Sequence, residues 1–242
     1  MLRKIGIALV VLILLLAGLL VGWYTIDGQP MPETEQFLNG AGYTVEQRNN
    51  GSLVFRPAKP NQRGIVIMHG ALIKPMSYAN SAAYFARRGY VVFLPHGGLW
   101  RLPINAVEDA ARRLAEFDAD QWFLIGHSMG GLASLELLRE SRADVRALAL
   151  WGSGVPFDFK DVAAPLLFLW GDRDGILNAE RLEGVKGNLP RATRYVTFEG
   201  GNHRNFAMYT HQFFDNDGPL YWREQIDRAN DLTAEFFEST AD

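Results

Sequence analysis

Ser128 lies at the centre of Gly126-His127-Ser128-Met129-Gly130, with a glycine two positions to either side. The apolar run 122–125 precedes it and the small residues Gly131, Leu132 and Ala133 follow, so the stretch reads as strand, tight turn, helix. A serine at the apex of such a turn stands clear of the backbone, because glycines occupy the positions where side chains would collide with the bend. The helix behind it aims unpaired N–H groups and the positive end of its dipole at the same point, where they favour a developing oxyanion. The chemistry implied is nucleophilic attack by a hydroxyl.

Such a hydroxyl needs a base, and the base needs an acceptor that holds its tautomer. Two later segments supply both. Gly171-Asp172-Arg173-Asp174-Gly175 follows the apolar run 166–170, and Glu199-Gly200-Gly201-Asn202-His203 follows 194–198. Serine, then aspartate, then histidine is the order expected when later strands serve a serine at a strand-to-helix turn. Of the two aspartates, Asp174 lies past the tight part of its turn and can point back at His203, whereas Asp172 directly follows the glycine. In this reading His203 takes the Ser128 proton and Asp174 stabilises the imidazolium. The N–H of Met129 and that of Ala71, after His69-Gly70, would be the two oxyanion donors. His69 and His127 are read as structural, and His96, in Pro95-His96-Gly97-Gly98, as scaffold or pocket wall. His211 and Asp215-Asn216-Asp217-Gly218 lack the further oxygen ligands of a calcium loop, so neither metal nor cofactor is expected.

The elements that must position these groups alternate. Strands are expected over 43–47, 52–56, 64–68, 90–94, 122–125, 145–151, 166–170 and 194–198. Asn49-Gly51 supplies the hairpin turn between the first two; Asn50-Gly51-Ser52, which also fits a glycosylation sequon, is accounted for by that turn. Helices are expected over 75–88, 104–117, 132–139, 179–187 and 221–237. Strands alternating with helices argue an α/β fold with a mostly parallel sheet covered by helices on both faces.

Composition narrows the function. A net charge of −3, with basic residues dispersed, leaves no stripe for nucleic acid, and the absence of cysteine excludes a disulfide framework or a thiolate zinc site. Residues 5–26 carry no charge and are long enough to span a hydrocarbon core. With Arg3 and Lys4 before them and Asp27, Glu33 and Glu35 after, the expectation is an uncleaved anchor whose main domain lies on the non-cytoplasmic side. Secretion after signal cleavage is the alternative, though no small-x-small site is convincing. The expected division is an anchor over 1–26, a linker over 27–40 and one α/β domain over 41–242.

These residues resemble the α/β-hydrolase superfamily, in particular its capless branch called alpha/beta hydrolase fold 5, similar to dienelactone-hydrolase-like and carboxylesterase-like proteins. The resemblance spans about 64–217 and rests on Gly70 with Pro75 and Tyr78, Gly89-Tyr90 with Pro95, the Gly-His-Ser-Met-Gly-Gly turn, Gly171 with Asp174-Gly175, and Glu199-Gly200-Gly201-Asn202-His203 followed by Phe206, Tyr209 and Gln212. It implies an α/β-hydrolase fold with Ser128, Asp174 and His203 as nucleophile, acid and base, and Ala71 and Met129 as oxyanion donors. Dienelactone hydrolases proper carry a cysteine where this chain has Ser128, and the Pro95-Gly98 loop departs from the branch.

About a dozen residues (152–163) separate the strand ending at Trp151 from the next, too few for a helical cap, so an open cleft is expected. Leu99, Trp100, Phe157, Phe159, Phe206 and Tyr209 are candidate walls of an acyl pocket. The leading expectation is hydrolysis of a carboxylic ester or thioester, a small-molecule substrate, through an acyl-enzyme. The alternatives are acyl transfer or amide or C–C hydrolysis on the same three residues, and a membrane-tethered binding protein without turnover.

Overall fold

In the run 63–68 every position after Arg63 is buried, which requires cover on both faces of the strand, and the same holds of Val91–Leu94 and most of Gln121–His127. The computed structural model describes residues 2–141 and 143–241; Met1 and Asp242, the outer ends of the expected anchor and domain, lie outside the described residues. Its strands are β1 (Tyr43–Gln47), β2 (Leu53–Pro57), β3 (Arg63–Met68), β4 (Val91–Leu94), β5 (Gln121–His127), β6 (Val145–Trp151), β7 (Leu166–Gly171) and β8 (Arg194–Phe198). They form one sheet in the order β1-β2-β4-β3-β5-β6-β7-β8. β1 and β2, and β2 and β4, pair antiparallel, and every other neighbouring pair is parallel.

The helices are α1 (Leu2–Ile26), α2 (Ala79–Arg87), α3 (Val107–Arg113), α4 (Met129–Glu140), α5 (Ala179–Asn188) and α6 (Trp222–Ser239). α2 and α6 cover one face of the sheet, where Phe85, Phe123 and Phe237 meet, with Phe123 and Phe237 ring centroids 4.7 Å apart. α3, α4 and α5 cover the other, over Phe93, Phe117, Trp122 and Leu150. Two helices are shorter than the spacing of apolar residues suggests. Pro75–Tyr78 and Pro103–Ala106 form 3₁₀ turns ahead of α2 and α3, each opened by a proline whose missing N–H suits a first turn. α4 starts earlier than expected, at Met129, directly behind Ser128.

No helix occurs among residues 152–165, between β6 and β7, so the sheet carries no cap there. Residues 27–38 run across the domain: Gly28 N–H donates to the His211 carbonyl at 3.1 Å, Met31 N–H to Met208 at 3.0 Å, and a 3₁₀ turn covers Pro32–Leu38. Within α1, residues 9–26 are long and apolar enough to cross a membrane, with a mean hydropathy of 2.6 and none of that stretch buried. By length and composition the helix suits an anchor or a signal sequence alike.

Candidate active site

The backbone turns sharply between β5 and α4. Ser128 has φ 54° and ψ −124°, a conformation that costs a non-glycine residue of order 1–3 kcal/mol and persists only where its surroundings hold it. They do so closely: a Cβ on Gly130 would overlap the carbonyls of Met68 and His69, and one on Gly126 the backbone of Gly130 and Gly131. Ser128 N–H is itself held by the Trp151 carbonyl at 3.0 Å. The requirement for glycine on both sides of the serine is therefore steric.

Four more strand ends converge on this turn. From the end of β7, Asp174 reaches inward and is 3 % exposed; its Oδ1 accepts from the backbone N–H of Ile176 and Leu177, and its Oδ2 accepts from His203 Nδ1 at 2.8 Å. His203, after β8, is 1 % exposed. Its other ring nitrogen, Nε2, is buried and has no hydrogen-bond partner, so no hydrogen bond joins it to Ser128 Oγ, although both residues line one cavity. Asp172 instead turns toward the neighbouring loop, where Oδ1 accepts from Gly200 N–H at 2.8 Å. Gly152, after β6, packs beneath the pair, and a Cβ there would lie 3.2 Å from both Asp174 Oδ2 and His203 Nδ1. Ala71 follows β3 in the loop whose Gly70 abuts Ser128, and Met129 opens α4.

His69 and His127 are buried supports. His127 Nε2 faces the His203 carbonyl at 3.1 Å; a carbonyl only accepts, so that nitrogen carries the proton and Nδ1 accepts from the Tyr78 hydroxyl at 2.7 Å. Tyr78 in turn accepts from Gly70 N–H at 2.9 Å, so one chain of hydrogen bonds runs from the Ala71 loop to the backbone of His203. Burial holds the His127 imidazole well below its ordinary pKa, assisted by the nearby His203, and burial takes His69 down to about 4. Both are neutral at pH 7. His96 lies against Gly51 and lines a different cavity from the one that holds Ser128.

Asp215 has a part that spacing did not disclose. Its Oδ1 accepts from Gly175 N–H at 3.0 Å and His203 N–H at 3.2 Å, and its Oδ2 from Arg204 N–H at 2.8 Å. One carboxylate thus fastens the Asp174 turn to the His203 loop. Its only sequence signal was the Asp-Asn-Asp-Gly string, which draws attention to metal binding and away from backbone clamping.

The cavity beside Ser128 and His203 has a volume of about 520 Å³ and walls from Leu132 on α4, Val155, Ile176 and Leu177 on loops, and Val185 on α5. The six residues expected as an acyl pocket do not line it. Phe159, Phe206 and Tyr209 are fully buried, Phe206 against Trp151 and Phe198, while Leu99, Trp100 and Phe157 lie exposed elsewhere. Aromatic character marked those loop residues, but the apolar side chains that line the cavity are aliphatic and come from α4, α5 and the loops after β6 and β7.

Residues 64–227 match the family model described as the alpha/beta hydrolase family. No curated protein matches the chain by sequence. The fold is similar to that of an alpha/beta hydrolase enzyme from a sediment metagenome of the Mar Chica lagoon, Morocco, at 22% identity and a TM-score of 0.56, over 81% of this chain and 98% of that one. It is also similar to an esterase from Exiguobacterium antarcticum, at 14% identity and a TM-score of 0.56, over 82% and 99% of the two chains. A third likeness is to the esterase domain of a Rhodothermus marinus protein, at 16% identity and a TM-score of 0.55, over 80% and 96%. With the match covering most of its length, the chain belongs to the alpha/beta hydrolase family, a membership that supports hydrolytic activity.

Proposed function

We propose that the protein is a serine hydrolase that cleaves a carboxylic ester or thioester through an acyl-enzyme on Ser128. The observation that carries the proposal is the 2.8 Å bond between His203 Nδ1 and Asp174 Oδ2, buried beside a strained serine in a shared apolar cavity. With Nδ1–H given to Asp174, Nε2 is left unprotonated and free to act as base. It takes the Ser128 proton as Oγ bonds to the substrate carbonyl carbon, and the N–H groups of Ala71 and Met129 stabilise the resulting oxyanion. Collapse breaks the bond to the alcohol or thiol, which leaves with the proton from His203. Water, deprotonated by the same ring, then releases the acid and restores Ser128. The same acyl-enzyme serves amide cleavage and acyl transfer, and family membership embraces those reactions as well as the ester one.

A fluorophosphonate probe tests this. Labelling of the folded chain and its loss in Ser128→Ala are expected; no labelling, or labelling unchanged in the variant, overturns the assignment of Ser128. A matched series of p-nitrophenyl esters, thioesters and anilides, scored by kcat/KM, ranks the reaction types.

The division into an anchor over 1–26, a linker over 27–40 and a catalytic domain over 41–242 is part of the proposal, with the domain on the non-cytoplasmic side. Contacts from the end of α1 support its retention: Tyr24 OH donates to the Leu99 carbonyl at 2.7 Å, and Trp23 lies edge-on to Phe213 and Phe214. N-terminal sequencing of the membrane fraction after carbonate extraction tests it, and a chain beginning beyond residue 24 would refute retention.

A further inference from the structure

The last turn of α1, the β1–β2 turn and the loop after β4 enclose a second cavity of about 270 Å³, apart from the one that holds Ser128. Arg48, Lys74, His96 and Arg101 line it, and no aspartate or glutamate does. Arg101 is 2 % exposed and held at φ 48°. Its Nη2 donates to the Tyr24 carbonyl at 2.5 Å and its guanidinium lies 4.0 Å from the Tyr24 ring centroid, so part of its charge caps the end of α1. That contact leaves Nε and Nη1, with three N–H donors between them, buried and without a partner.

No acid accepts a hydrogen bond from them, although the charge of Asp27 favours the guanidinium from a distance. Asp27 is occupied by the Trp23 indole N–H, the His211 ring, the Gln212 amide and the Phe213 N–H. Arg48 is already paired with Glu46 and Glu116, whereas Lys74 is exposed at the rim with no ion pair among the described residues. A buried guanidinium with unmet donors is costly unless an anion supplies the acceptors. Leu53, Pro75 and Met76 add apolar wall to the basic groups, and Tyr24, which also lines the space, is of the residue type found where a membrane helix meets the headgroup layer.

We propose that this cavity binds a phosphate group, with Arg101 as its buried donor and Lys74 closing over it at the rim, and that the phosphate is carried by an anionic phospholipid at the end of α1. The site is independent of the chemistry assigned to Ser128. The test uses the full chain in neutral detergent micelles. Titration calorimetry measures inorganic phosphate, and native mass spectrometry compares retention of phosphatidylglycerol with that of diacylglycerol, which lacks the phosphate. Preferential retention of phosphatidylglycerol is expected, weakened at least about tenfold in Lys74→Ala, an exposed position, and abolished in Arg101→Met. Binding of phosphate without any preference for phosphatidylglycerol overturns the lipid as its source. Absence of both, or binding unaffected by Lys74→Ala and Arg101→Lys, overturns the site. Circular dichroism establishes that each variant is folded; should Arg101→Met fail to fold, Lys74→Ala and Arg101→Lys decide.

Discussion

At the scale of single residues, the site depends on carboxylates and imidazoles with different tasks. Asp215 does not line the cavity beside Ser128, yet three backbone N–H groups converge on it from the Asp174 turn and the His203 loop. Hydrogen bonds to a charged acceptor are worth about 1.5–3 kcal/mol each, so its removal should let the His203–Asp174 pair drift. Asp215→Ala is expected to lower kcat roughly 10- to 100-fold with little change in KM, and Asp215→Asn, which keeps an acceptor oxygen, to recover part of the loss. Equal effects of the two substitutions would contradict a positioning role. His69 and His127 make a second prediction, because both are neutral when folded and take up protons once unfolded. Above pH 6.5 neither state binds the proton and stability is flat. Between 6.5 and about 4 the unfolded chain binds it and the folded chain does not, so stability falls as pH falls, by about 1.4 kcal/mol per unit for His69. Thermal melts across that window should show the decline, and it should be shallower in His69→Asn.

At the scale of elements, most of the frame was readable. The buried run at β3, the glycines around Ser128 and the loops after β7 and β8 follow from periodicity and turn chemistry, which are local properties of the chain. What was not readable depended on contacts between distant segments. The cavity walls come from α4, α5 and two loops, and nothing local to Val185 or Leu177 distinguishes a cavity wall from ordinary core. Likewise Tyr78 reads as one apolar position on a helix, although its hydroxyl joins Gly70 to His127 across a long sequence interval. Gly184 offers a test of the cavity. It lies in α5 and lines the space, and a Cβ there meets nothing within 4 Å. Gly184→Ala should raise stability by about 0.5–1 kcal/mol through helix propensity alone. Gly184→Phe should fill the space, lowering kcat/KM for long acyl chains far more than for acetate. Equal losses across the chain-length series would place the acyl group elsewhere.

Across the whole molecule, the segment after α1 is woven into the domain. Buried Asp27 accepts from four groups, three of them in 211–213, and Pro30 bridges to Tyr209. The sequence gives this segment the composition of a linker, since prolines and acidic residues carry no sign of the distant partners that fix them. Removing residues 1–22 should therefore leave a folded domain, whereas removing 1–31 should lower Tm by several degrees and expose the 208–214 loop to proteolysis, which limited digestion would reveal.

The uninterrupted passage from β6 to β7 has a kinetic corollary. With no helix over residues 152–165 to swing aside, substrate should enter the 520 Å³ cavity from monomeric solution as readily as from an aggregate. Velocity against concentration for a soluble ester should therefore follow a smooth hyperbola through the critical micelle concentration, without the abrupt rise of interfacial activation.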